Sequence, residues 1–120
     1  MDRNSIDWHG SIPAMTTPFD AQGRIDEKAF AANMDRLLAE GATGFVVGGC
    51  TGEFWALSHD ERKRLYDVAA SAMNKRGTLL VGTGAVTVDE TVAHVALKGQ
   101  SLAVLAQQHL DSDAAKLASI

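Results

Sequence analysis

Gly44-Phe45-Val46-Val47-Gly48-Gly49-Cys50-Thr51-Gly52-Glu53-Phe54 is the stretch on which the reading of the fold turns. It opens with an unbroken apolar run between glycines, too short for a helix and without the alternation of a half-exposed strand. A strand buried on both faces, as in a parallel sheet, fits it. Thr78-Leu79-Leu80-Val81 repeats the pattern and enters Gly82-Thr83-Gly84. Upstream, Ser11-Ile12-Pro13-Ala14-Met15-Thr16 is a weaker strand candidate, because Pro13 has no N–H to give to a ladder.

Between these runs the periodicity becomes helical. Asp26 is a plausible N-cap for a helix carrying Phe30, Met34, Leu37 and Leu38 on one side, with Gly41 as its stop. Ser58 and Glu61 have capping-box spacing and open a helix with Leu65, Val68, Ala69, Ala72 and Met73 inward, stopping at Gly77. Thr87 and Glu90 repeat the box before a helix with Val88, Thr91, Val92 and Val95 near one face. Ile12, Phe45 and Leu79 recur 33 and 34 residues apart, a separation that holds a helical crossover between parallel strands. The pattern predicts an α/β fold of three β/α units. Beyond Ala96 it degrades: Lys98-Gly99-Gln100 leads to Ser101–Leu110, which reads as a helix or an imperfect strand, and no fourth strand is evident. Asp111-Ser112-Asp113 then caps a weak alanine-rich run. The organisation expected is a leader over 1–9, the β/α portion over 10–97, and a divergent, mostly helical or disordered tail over 98–120.

Composition narrows the function classes. The chain has 120 residues, 46% of them apolar and 22% charged, which suits a globular protein. A closed eight-fold β/α barrel needs roughly 250 residues, so this length holds only part of one. Fifteen acidic residues outweigh 11 basic ones, for a net charge of −4, and give no electrostatic reason to bind nucleic acid or an anionic membrane. The basic cluster Arg62-Lys63-Arg64 reads as a solvated helix face. The lone Cys50 cannot form an internal disulfide, and the N-terminus lacks the apolar segment of a secretory signal. A reducing, cytoplasmic setting is expected.

Chemistry concentrates at Gly48-Gly49-Cys50-Thr51-Gly52-Glu53, at the carboxyl end of a buried strand. Loop N–H groups converge on anions at such ends, and glycines let the backbone approach a small carboxylate or phosphate. Cys50 and Thr51 add a thiol and a hydroxyl; the alternative is a tight structural turn with Glu53 solvated. Gly82-Thr83-Gly84-Ala85-Val86-Thr87 opens like a dinucleotide fingerprint but lacks its third glycine, and there is no P-loop. His9, His59, His94 and His109 are too scattered for a metal site or for a base beside Cys50. No metal or cofactor is implied. Lys28, Lys63 and Lys75 fall on polar helix faces, and Lys98 and Lys116 in the tail, so none has the apolar setting of a Schiff-base lysine.

Several stretches together resemble one family. Gly10-Ser11-Ile12-Pro13-Ala14-Met15-Thr16-Thr17-Pro18-Phe19-Asp20, Gly23-Arg24-Ile25-Asp26, Gly48 to Phe54, Leu57-Ser58 with Glu61-Arg62, and Gly82-Thr83-Gly84 stand in the order and spacing of the N-terminal part of the dihydrodipicolinate synthase / N-acetylneuraminate lyase family. These are pyruvate-dependent class I aldolases on a (β/α)8 TIM barrel. The resemblance implies a partial barrel of about three β/α units, with the carboxylate of pyruvate or another 2-oxo acid held at Thr51 and Cys50. Gly48, Gly49, Gly52 and Glu53 would support that loop, and Pro13 and Thr16 would lie near the pocket floor. The family usually has Ser or Thr where Cys50 stands. It also implies that the Schiff-base lysine and the tyrosine acid/base belong to later strands, beyond residue 120, and that Tyr66 is not that tyrosine. The chain alone is then expected to lack activity. Two other readings remain: a non-catalytic barrel fragment that self-associates through an exposed sheet edge or docks on a paralogue, and a weak carboxylate-binding module.

Overall fold

The computed structural model describes residues 6–85, 87–96 and 103–105. Three helices, α1 (Glu27–Ala39), α2 (His59–Met73) and α3 (Val88–Ala96), alternate with strands β1 (Gly44–Val47), β2 (Thr78–Gly82) and β3 (Ala103–Leu105). The strands form one open parallel sheet in the order β1-β2-β3.

Each helix begins where its cap residue says it should. The Asp26 carboxylate accepts the Ala29 N–H at 2.9 Å and opens α1. At the other end, Gly41 donates to the Leu38 carbonyl and Ala42 to that of Leu37, the paired bonds of a Schellman turn, with Gly41 at φ +102°. Ser58 and Glu61 form the reciprocal capping box of α2: the Ser58 N–H reaches the Glu61 carboxylate at 2.8 Å, and the Glu61 N–H reaches the Ser58 hydroxyl at 3.3 Å. The bond from the Ser58 N–H to its carboxylate lowers the pKa of Glu61 below the ordinary carboxylate value. Thr87 likewise accepts the Glu90 N–H at the start of α3.

One face of the sheet carries the core. Phe45 and Val47 of β1 and Leu79 and Val81 of β2 pack with Phe30 and Met34 of α1 and Leu65, Ala69 and Met73 of α2. Alternate strand residues point the other way, so Val46 and Leu80, which pair in register, stand on the opposite face. Helices α1 and α2 are further joined by a two-pronged ion pair, Arg64 to Glu27 at 2.6 and 2.7 Å, and Arg76, just past the end of α2, pairs with Asp35 of α1.

Three expectations are corrected. The segment Ser11–Thr16 is not a continuous strand; it meets the β1 side of the sheet in two isolated parallel bridges, Ser11 with Ala42 and Ala14 with Val46. Pro13, lacking an N–H, only accepts there, from Val46 at 3.0 Å, while Met15 donates to the Val46 carbonyl at 2.8 Å. A further strand does exist: Ala103-Val104-Leu105 pairs with Leu80-Val81-Gly82. The open edge of β2 offered unpaired N–H and C=O groups, and that pairing outweighs the ambiguous periodicity of a helical tail. The capping run at Asp111–Asp113 and the alanine-rich run after it lie outside the described residues. Finally, α2 stops at Asn74, which adopts the left-handed conformation at φ 44°, and not at Gly77.

Lys75 follows Asn74 in the left-handed region, at φ 61°. A side chain there costs conformational energy that glycine escapes, so Lys75→Gly should raise the unfolding free energy by about 0.5–1 kcal/mol, read by urea denaturation. Lys75→Val, whose branched side chain fits this region worst, should lower it by more than about 1 kcal/mol in the same measurement.

Candidate functional site

The loop after β1 is shaped by close backbone approach. Gly48 sits at φ +68°, and a Cβ on it would run into the ring and hydroxyl of Tyr66. A Cβ on Gly82 would strike the Gly48 carbonyl. The carboxyl ends of β1 and β2 therefore come together around Tyr66 only because both residues are glycine. The loop then closes on itself, with Gly52 donating to Gly49 at 3.1 Å and Glu53 to Cys50 at 2.9 Å. Thr17, buried, fixes it from the N-terminal segment by donating its hydroxyl to the Gly52 carbonyl at 2.8 Å. Glu53 takes the left-handed conformation, φ 53° and ψ 45°, and turns the chain into the short 3-10 turn Phe54–Ala56.

Around this frame the expected residues separate by exposure. Cys50, Thr51 and Glu53 are exposed, Gly49 is half-buried, and Gly48 and Gly52 are buried. Among the described residues none uses the Thr51 N–H or hydroxyl, so both can bind something else. The arrangement can donate hydrogen bonds to an anion at the end of the sheet. The described residues contain no cluster of His, Cys, Asp and Glu able to hold a metal ion.

Beneath the loop lies what sequence reasoning missed. Arg62, assigned to a solvated face with Lys63 and Arg64, is only 3% exposed, whereas its two neighbours are exposed. Its guanidinium donates to the Gly82 carbonyl at 2.7 Å, the Gly84 carbonyl at 2.9 Å and the Tyr66 hydroxyl at 3.1 Å. The Phe54 ring covers it, 5.1 Å from the ring centroid. Tyr66, also buried, donates its own hydroxyl to Gly82. The signal was available: Arg62 and Tyr66 fall on the same helical stripe as Leu65, Ala69 and Met73, at spacings of three, four, seven and eleven residues from Arg62.

The profile of the dihydrodipicolinate synthetase family matches residues 7–106. The chain belongs to that family. It is 46% identical over 83 residues to a 4-hydroxy-tetrahydrodipicolinate synthase of Agrobacterium fabrum, covering 69% of this chain and 28% of that protein. It is 42% identical over 87 residues to an uncharacterized DapA-like lyase of Rhizobium meliloti, with 72% and 29% covered. Among solved structures it resembles YagE, a prophage protein of the dihydrodipicolinic acid synthase family from Escherichia coli K12 in complex with pyruvate, with a TM-score of 0.78 and 27% identity. That match covers 93% of this chain and 40% of the other. The Proteus mirabilis N-acetylneuraminate lyase superposes with a TM-score of 0.73 at 28% identity, over 86% and 38% of the two chains. The chain thus spans less than a third of the length of these curated relatives. No helix of the described residues is long and apolar enough to cross a membrane.

Within this member of the dihydrodipicolinate synthetase family, Tyr66 is the only tyrosine, which makes it a clean spectroscopic handle. Burial raises its pKa above the ordinary 10.0, with the Arg62 charge and hydrogen bond opposing in part. A phenol held neutral by the fold leaves stability intact below about pH 10, the unfolded value, and erodes it as pH rises towards the folded pKa. Phenolate absorbance should therefore appear later in the native than in the denatured chain. Tyr66→Phe should abolish the share of alkaline destabilisation due to the phenol, read from denaturation midpoints across that pH range.

Proposed function

We propose that residues 10–97 are the N-terminal portion of a (β/α)8 barrel, its first three β/α units, from a Schiff-base-forming aldolase or lyase acting on pyruvate or another 2-oxo acid. In this reading Thr51 and Cys50 receive the substrate carboxylate, and Gly48, Gly49, Gly52 and Glu53 hold the loop in shape. The observation that carries it is the Thr51 amide and hydroxyl, unused among the described residues, on a glycine loop at the carboxyl end of a parallel strand. Ligands of parallel α/β folds gather at that end. The likeness to a pyruvate-bound relative supports a 2-oxo acid as the ligand class. The exposed Cys50 suits a reducing, cytoplasmic setting. A thiol is a weaker hydrogen-bond donor than the hydroxyl usual in the family, so Thr51 bears the greater share of carboxylate recognition.

Covalent catalysis needs a desolvated lysine, and Lys28, Lys63 and Lys75 are all exposed. In this reading the loop binds a carboxylate weakly, and no lysine among the described residues forms a Schiff base. Borohydride reduction in the presence of pyruvate should leave the mass of every lysine peptide unchanged, and a stable pyruvyl adduct would overturn this. Pyruvate should shift the Thr51 amide resonance at millimolar concentration, and Thr51→Ala should abolish the response at Cys50 and Gly52.

The open parallel sheet favours a second reading, a non-catalytic fragment that pairs with another copy or with a longer paralogue. Sedimentation at rising concentration should then show dimers or larger species. A cooperatively folded monomer at micromolar concentration would exclude self-association.

A further inference from the structure

We propose that Arg62 is the positioning residue of the carboxylate loop, locking the loops that follow β1 and β2 to each other from below. This inference rests on the carboxylate reading of the loop and adds a residue to it. Three observations converge. The guanidinium spends its N–H groups on acceptors at the carboxyl end of β2 and in the loop that follows it, the carbonyls of Gly82 and Gly84. Its Nε donates to the Tyr66 hydroxyl, and Tyr66 lies where a side chain on Gly48 would be, so the same residue braces the near loop. Its face packs under Phe54, the residue that follows Glu53, which ties down the end of the near loop as well.

The chemistry of the pairing matters as much as its geometry. All these acceptors are neutral, and among the described residues no carboxylate forms an ion pair with Arg62. A buried cation satisfied by dipoles alone keeps a positive field that a second charge can use. The loop above it contributes an anion, Glu53, and no cation of its own. Arg62 would thus both set the separation of the two loops and make their shared end hospitable to a carboxylate that it does not touch. Lysine cannot reproduce this fork, because one ammonium cannot span two carbonyls and a phenol in a fixed plane.

Amide hydrogen exchange on the 120-residue chain tests the lock. The hydrogen-bonded amides of Gly52 and Glu53 are the reporters, and amides inside α1 are the reference. Arg62→Met should accelerate exchange at the reporters roughly tenfold with α1 unchanged, and Arg62→Lys should recover part of the protection. Tyr66→Phe keeps the ring and removes the hydroxyl; it should give a smaller acceleration at the same amides, and it carries the test together with Arg62→Lys if Arg62→Met does not fold. Reporter exchange unchanged in the folded variants, or accelerated equally in α1, would overturn the proposal.

A parallel pyruvate titration separates the two readings. If the wild-type Thr51 amide does not respond, the carboxylate reading fails while the exchange result still decides the lock. If it responds and a folded Arg62 variant binds pyruvate as tightly as wild type, the positioning role fails. Affinity roughly tenfold weaker in Arg62→Met supports it.

Discussion

The carboxyl ends of β1 and β2 can lie side by side only while Gly48 and Gly82 carry no side chains, and much of the site follows from that approach. The gap they leave admits Tyr66, and Tyr66 brings Arg62 beside it. Helix α2 is thereby held to the sheet by polar contacts at one end and by Leu65, Ala69 and Met73 along its length. Burying a guanidinium and a phenol would be costly if their donors were idle. Here each is matched to a carbonyl or to the other, so the polar cluster specifies one arrangement of helix, strand and loop in a way that apolar packing alone would not.

Family membership gives this local geometry a larger setting. Relatives of the same family are more than twice as long, and the described sheet is open. One face is finished, with α1 and α2 laid across it. On the other, Val46 is half-buried, its register partner Leu80 is buried and Ala14, its bridge partner, is exposed. The loop after β1 is braced from below by Thr17, Tyr66 and Arg62, while its upper residues Cys50 and Thr51 face solvent.

Much of the fold was legible because local rules and tertiary structure agree. The caps at Asp26 and Ser58, the Schellman turn at Gly41 and the apolar runs of β1 and β2 are each fixed by neighbours in sequence. The failures have a common cause in contacts between residues distant in the chain. Ala103–Leu105 is a strand because β2 lends it partners about twenty residues earlier. Gly77 looked like a helix stop but is glycine because a Cβ would strike the Thr43 carbonyl, while Asn74 ends the helix. Arg62 looked solvated because charge was weighed above position. The loop Gly48–Glu53 could be placed from sequence at a strand end, but the residues that brace it could not.

At the amino ends of the strands, two threonines hold the incoming chain by its backbone. The Thr43 hydroxyl donates to the carbonyl of His9 at 2.8 Å, and that of Thr78 to the carbonyl of Asp7 at 2.6 Å. A hydroxyl that grips a carbonyl is indifferent to the side chain the gripped residue bears. The arm's own side chains add one more hold: the Asp7 carboxylate accepts the His9 N–H at 3.0 Å. The two hydroxyls thus set where the arm passes the sheet, and the Asp7 turn sets how it bends between them.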